Sequence, residues 1–172
     1  MKRLFHILGL VIGVSVLSLT CSQAFADQQA RAKAKLVLKQ YENFDFLIDN
    51  QLRDDCLPRP VEANRVMKEV FLSSDIHVAE GDPSLGAILV QFFGYEMSSQ
   101  SCVASIRSSI RHYGEITNKQ TQGSYFSYVE LDYKHTLIVG PKSGFQTRVV
   151  EVVRAQSREL AAFILEARRG KR

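Results

Sequence analysis

The sequence predicts an α+β fold, a two-layer sandwich with a small antiparallel sheet of about three strands. N-terminal helices and a long C-terminal helix pack on one face of that sheet. Three observations predict this architecture. Apolar residues recur at helical spacing near both ends of the chain, they alternate at strand spacing in its middle, and turn residues separate these stretches.

The first 26 residues have the three parts of a bacterial-type secretory signal peptide. Lys2 and Arg3 give a positive start, residues 4–19 carry no formal charge, and residues 24–26 (Ala-Phe-Ala) place small residues at the cleavage site. We therefore expect residues 1–26 to be removed and residues 27–172 to form a single exported domain, periplasmic or secreted.

Two alternatives to cleavage stay open. An uncleaved membrane anchor would need about 20 apolar residues, which is more than residues 4–19 supply. A lipoprotein would carry its lipid on Cys21, but residues 18–21 (Ser-Leu-Thr-Cys) depart from a lipobox at two places. The sequence thus favours a domain without a stable membrane anchor.

The charge of the expected mature domain gives no reason to predict a nucleic-acid partner. The whole chain has a formal charge of +4. Two of its basic residues and none of its acidic residues lie in the leader, so the mature charge falls to +2. A near-neutral net charge gives no argument for nucleic-acid binding.

The cysteines agree with export. Of the three cysteines, Cys21 would leave with the leader, and Cys56 and Cys102 would remain as an even pair in an oxidising compartment. We predict a disulfide between them. A redox or nucleophilic cysteine is the alternative, although the Cys-x-x-Cys pattern is missing.

The apolar spacing predicts two N-terminal helices. The first covers residues 29–53, with an apolar stripe formed by Val37, Tyr41, Phe44, Ile48 and Leu52. Leu57-Pro58-Arg59-Pro60 ends it, and Pro60 begins a second helix over residues 60–71.

The middle of the chain predicts strands at 76–78, 85–97 and 125–139. Residues 85–97 are apolar on both faces, which suggests a strand covered on both sides or near the sheet centre. Residues 102–113 fit a strand or a helix, and the short turn from residue 97 favours the strand.

The strand over 125–139 alternates most clearly, and we expect one face of it to be buried and the other wet. The residues expected on the buried face are Val129, Leu131, Tyr133, Leu137 and Val139. A long helix over residues 144–168 then closes the chain, with a capping box at Ser143 and Gln146.

No motif predicts catalysis, a cofactor or a metal site. The three histidines of the expected mature chain have no metal-ligand spacing, and no nucleophile elbow or phosphate loop occurs. Lys142 lies between a strand and a helix N-terminus, where an anion could bind. A plain strand-to-helix connection is the favoured interpretation of that position.

Aromatic residues give the positive functional signal. Phe126 and Tyr128 fall on the face of the 125–139 strand that also carries Glu130 and Asp132, where exposed aromatic rings indicate a binding surface. Cross-strand pairing that stabilises the sheet is the alternative.

The sequence therefore favours a non-enzymatic envelope protein that binds a partner protein or a ligand, with Phe126, Tyr128 and Lys142 as candidate binding residues. An accessory factor of a secretion or surface-assembly system is one form of this function. The alternative is a small periplasmic hydrolase that uses His112 and Tyr113 with a nearby acid.

Overall fold

The computed structural model describes residues 27–52, 56–57, 59–79, 81, 86–118, 120 and 122–169. The predicted leader, residues 1–26, lies outside the described residues. The chain divides into two units, residues 1–34 and 35–172. Residues 27–38 are helical and form α1. The sheet and the other helices belong to the second unit.

A mixed sheet of five strands forms the centre of the second unit, in the order β2-β1-β3-β4-β5. The strands are β1 (Asn43–Leu52), β2 (His77–Val78), β3 (Gly86–Ser98), β4 (Ser101–Thr117) and β5 (Ser124–Pro141). β1 runs parallel to β2 and β3, whereas β3, β4 and β5 are antiparallel neighbours. The predicted α+β class is confirmed, and the predicted three-stranded antiparallel sheet is wrong.

The error in the sheet comes from the predicted helix over residues 29–53. That helix ends at residue 38, and the second half of the segment is strand β1. Phe44, Ile48 and Leu52 are spaced by four residues, and this spacing fits a helical stripe and one face of a strand equally well. Nine parallel pairs with β3, from Phe44↔Gly86 to Leu52↔Gly94, make the segment a strand.

Two helices of the second unit, α2 (Pro60–Ser73) and α3 (Phe145–Arg169), lie on one face of the sheet. The ring of Phe46 on β1 lies 5.5 Å from that of Phe71 on α2. The Ser108 hydroxyl on β4 donates to Gln156 Oε1 on α3 over 2.6 Å. Fully buried side chains between these layers include Phe71, Phe92, Phe145, Ile106, Leu160 and Ile164.

The predicted cysteine pair is bonded in the structure. The Sγ atoms of Cys56 and Cys102 are 2.08 Å apart and their Cα atoms are 5.9 Å apart. Cys56 follows β1, Cys102 is the second residue of β4, and both side chains are buried. The bond therefore ties the connection before α2 to the sheet.

The ambiguous segment, residues 102–113, lies entirely within β4, so the favoured strand is confirmed. The predicted burial of β5 is wrong. Tyr133, Leu137 and Val139, expected in the core, are each more than half exposed. The opposite side of β5 faces α3, because Thr136 accepts a hydrogen bond from Gln156 and Lys134 pairs with Glu159.

A β-bulge explains part of this difference. Ile110 pairs with Asp132 and the next residue, Arg111, pairs with Glu130, so Leu131 is an extra residue in β5. An extra residue shifts the two-residue alternation by one position, and the side chains beyond it change faces. The prediction that buried and exposed side chains alternate without a break over residues 125–139 is therefore wrong.

A candidate protein-binding face

The second face of the sheet, called the open face below, is the opposite side from α2 and α3. It is built by side chains that alternate with those facing the helices, and paired residues on neighbouring strands share a face. Its members on β1 and β3 are Leu47, Asp49, Gln51, Leu89, Gln91, Phe93 and Tyr95. Those on β4 and β5 are Val103, Ser105, Arg107, Ser109, Arg111, Glu130, Tyr133, His135, Leu137 and Val139.

Among the residues that the structure describes, one end of the open face carries large apolar side chains and no charged one. The pairing Phe93↔Ser105↔Leu137 lies next to the pairing Tyr95↔Val103↔Val139. We call Phe93, Tyr95, Leu137 and Val139 the apolar patch. Leu137 is 63% exposed and Tyr95 is 56% exposed. Contiguous exposed side chains of this size are typical of a surface that another molecule covers.

The middle of the open face carries charge. Arg107 pairs with Glu130 over 2.5 Å, and its guanidinium lies 4.6 Å from the centre of the Tyr133 ring. Arg107 and Tyr133 also line a depression together with Phe93, Ser105, Gln91 and His135. His135 Nε2 and the Ser105 hydroxyl share a hydrogen bond of 2.8 Å. The polar groups of this region are thus largely paired with one another.

A two-stranded arm extends the open face beyond β3. The last β4 residue that pairs with β3 is Arg111. Past it, residues 112–117 of β4 pair with residues 124–129 of β5. These two segments are called the arm. Within the described residues they have no other strand neighbour. A lone two-stranded ribbon is only marginally stable in water, so the arm gains most from contact with another surface.

The candidate residues Phe126 and Tyr128 lie on this arm. The ring of Tyr113 lies 5.9 Å from that of Phe126 and 5.1 Å from that of Tyr128, so the three rings form one cluster. Pairing places Tyr113 and Tyr128 opposite each other, on the side that Arg107 occupies further along β4. Phe126 is 65% exposed. The aromatic cluster is therefore continuous with the open face.

The third candidate binding residue is placed elsewhere. Lys142 follows β5, and its Nζ atom lies 2.9 Å from a carboxylate oxygen of Glu96. Its backbone N–H donates to the carbonyl of Gln100. The positive charge that an anion would need is therefore already balanced by Glu96 at this connection.

His112 and Tyr113 do not converge on one site. They are consecutive residues of a strand, so their side chains point to opposite faces. His112 Nδ1 shares a hydrogen bond with the Tyr41 hydroxyl instead. Burial raises the pKa of the Tyr41 phenol, which keeps this hydroxyl protonated at neutral pH. This geometry offers no activated nucleophile.

The described residues contain neither a helix that could span a membrane nor a cluster that could bind a metal ion. No helix among them is long and apolar enough to cross a membrane. In the same part of the chain, no three histidine, cysteine, aspartate or glutamate side chains lie close enough together to hold a metal ion.

The apolar patch is not predicted by the sequence. The pattern of residues 85–97 predicts a strand covered on both sides or near the sheet centre, and β3 does lie between β1 and β4. Only one of its faces meets the helices. The sequence does show that Phe93 and Tyr95 alternate with Phe92, which is buried. It does not show which face of the strand the helices cover.

Comparisons with known proteins give only distant likenesses. No protein-family model and no curated protein matches the chain. PelC from the dodecamer of Paraburkholderia phytofirmans is 8% identical, with a TM-score of 0.42 over 69% of this chain and 87% of that one. A minor lipoprotein from Acinetobacter baumannii is 7% identical, with a TM-score of 0.34 over 71% and 94%.

Rare lipoprotein B from Shewanella oneidensis is also 7% identical, with a TM-score of 0.29 over 72% of this chain and 94% of that one. Likenesses this distant assign neither a family nor a function.

Proposed function

We propose that this chain is an exported, non-enzymatic protein of the cell envelope that binds a partner protein through its open face and its arm. The observation that carries the proposal is the concentration of exposed apolar side chains on one side of the sheet. Thirteen large hydrophobic side chains are exposed among the described residues. Seven of them share this side: Phe93, Tyr95, Tyr113, Phe126, Tyr133, Leu137 and Val139.

The location in the envelope is supported by two features. The leader-like residues 1–26 are expected to direct export. The disulfide between Cys56 and Cys102 requires an oxidising compartment to persist. N-terminal sequencing of the protein from its native envelope tests both export and cleavage. We expect the chain to begin at Asp27, and retention of residues 1–26 or a lipid on Cys21 would contradict this.

Protein binding is supported by the kind of side chain on the open face and the arm. Tyrosine and phenylalanine bury large areas on binding and lose little conformational freedom, so they are enriched at the centres of protein interfaces. Phe126 and Tyr128 are the residues of the arm that we expect to contribute most.

Changing Phe126 and Tyr128 together to serine is the test of this function. We expect the double variant to fold and to lose co-purification of the partner from the envelope fraction, because the arm loses its contact side chains. Tyr125→Ser is the matched control, since Tyr125 is 56% exposed but lies on the other face of the same strand. We expect the control variant to retain the partner.

Two results would contradict the proposal. If the double variant unfolds, the rings stabilise the sheet and are not available to a partner. If the variant folds and still retains the partner, the arm is not the binding surface. His112→Ala separates the hydrolase alternative, because loss of an enzymatic activity with unchanged partner binding would favour that alternative.

A further inference from the structure

We propose that the partner seated on the open face is a second copy of this chain, and that the two sheets pack face to face about a two-fold axis. This inference rests on the proposed function, because both require the open face to be an interface.

The area of the open face suits a stable dimer. β4 has 17 residues, and a strand of that length is about 55 Å long. The face is three strands wide up to Arg111 and two strands wide along the arm, and it covers about 700 Å². This is close to the roughly 800 Å² that each partner buries in a stable complex. Two sheets packed face to face at about 10 Å form a standard β-sandwich core.

The order of groups along β4 is symmetric about its middle. Val103 lies between Tyr95 and Val139 of the apolar patch, and Tyr113 lies in the aromatic cluster of the arm. Arg107 with Glu130 lies between these two ends. A two-fold axis that crosses the strands near Arg107 places the arm of one copy on the apolar patch of the other. A two-fold contact must be self-complementary in this way.

The charges agree with this axis. Near the axis each copy would bring two positive side chains, Arg107 and Arg111, and two negative ones, Asp49 and Glu130. Positive and negative groups could therefore exchange partners between the copies, and the centre of the interface would carry no net charge. The apolar side chains at the two ends would then meet each other, although the arm also carries the exposed Glu115 on this side.

The arm distinguishes between the two orientations that a face-to-face dimer could take. It is two strands wide and extends past the end of β3. When the strands of the two copies run in opposite directions, the partner's whole sheet lies under the arm. When the strands run in the same direction, each arm lies over the partner's arm, which is only two strands wide, so the opposed orientation covers the arm with a wider surface.

The edge of the sheet is less suited to a second copy. Arg148 donates from its guanidinium to the carbonyls of Val139 and Pro141 at the outer edge of β5, over 3.3 and 3.4 Å. A β carbon at Gly140 would collide with this guanidinium. Carbonyls engaged in this way cannot accept a further strand, which is a common protection of sheet edges.

The test is the molar mass of the exported, oxidised protein, measured by light scattering over a range of concentrations. We expect a mass of two chains that falls to one chain on dilution. Tyr95→Asp combined with Leu137→Asp should raise the dissociation constant at least a hundredfold, because each copy would bury two unpaired carboxylates. Val61→Asp is the control, since Val61 is 68% exposed on α2, and this variant should dimerise normally.

The orientation is tested with single cysteines and a bismaleimide about 10 Å long, the distance between packed sheets. A mixture of Val103→Cys and Tyr113→Cys proteins should cross-link far more than either protein alone, with the unchanged protein as the blank. Efficient cross-linking of Val103→Cys with itself would overturn the opposed orientation.

The outcomes separate this inference from the proposed function. A wild-type mass of one chain at all concentrations would overturn the second-copy proposal. If that monomer still co-purifies with a different protein, and this depends on Phe126 and Tyr128, the proposed function stands. If it co-purifies with no protein, both proposals fail. A dimer that survives the Tyr95→Asp and Leu137→Asp changes would also overturn the face-to-face contact.

Discussion

Replacing Cys56 and Cys102 together by alanine should lower the free energy of unfolding by about 4 kcal/mol. The bond closes a loop across 46 residues, and the chain-entropy estimate grows with the logarithm of that separation. A loss of this size is a large part of the 5–15 kcal/mol that stabilises an ordinary domain. Urea unfolding of the wild-type protein and the double alanine variant, followed by circular dichroism, measures this difference in the free energy of unfolding.

The reduced wild-type protein is the matched control for this prediction. It keeps both sulfur atoms in the chain and loses only the bond, so it should unfold at nearly the same urea concentration as the double alanine variant. If oxidised and reduced proteins unfold at the same concentration, the bond contributes nothing to stability. The covalent link between the connection before α2 and the sheet would then have no stabilising role.

Gly94→Ala is the second change with a large expected effect, a loss of about 3 kcal/mol. Gly94 lies on β3 between Leu52 on β1 and Ala104 on β4. A β carbon there would collide with the backbone carbonyl of Val103 and would approach Leu52 Cδ2 to 2.6 Å. Because a neighbouring strand would have to move, thermal unfolding should occur at a clearly lower temperature.

Gly114→Ala is the control for this prediction. Gly114 is also a strand glycine, but an added β carbon would meet the imidazole of His112, which is a side chain that can rotate away. We expect a much smaller change in the unfolding temperature. Equal effects at the two glycines would contradict the close packing of β3 between β1 and β4.

The helices after residue 59 were predictable because their sequence signals are local. Pro60 marks the start of α2, and the predicted end at residue 71 differs from the observed Ser73 by two residues. The predicted last helix, residues 144–168, corresponds to α3, Phe145–Arg169. A long apolar stripe at helical spacing, bounded by residues that end helices, is a strong predictor of a helix.

Strand β1 was not predictable in the same way, because what makes it a strand lies far away in the sequence. The four-residue spacing of Phe44, Ile48 and Leu52 fits the period of a helix and that of a strand. The nine parallel pairs with β3, by contrast, are contacts between residues far apart in the sequence. Local preference for a helix is weak enough that such pairing overrides it. The mixed sheet follows directly from this one segment.

The candidate site was predictable only in part, for two physical reasons. Alternation shows that a strand has two different faces, but the positions of α2 and α3 decide which face is covered. Tyr133, Leu137 and Val139 have the side chains of a core, yet they lie on the open face. The bulge at Leu131 also changes the faces within β5, which explains why Glu130 and Asp132 lie on opposite sides.

The central claim is that the open face is an interface in the living cell, and site-specific photo-cross-linking at position 137 tests it most directly. Leu137 lies in the apolar patch and is 63% exposed, whereas Val61 on α2 is 68% exposed and serves as the reference position. With a photoreactive amino acid at each position in turn, we predict a strong protein adduct from position 137 and little or none from position 61. No adduct from position 137, or equal adducts from both positions, would contradict the account.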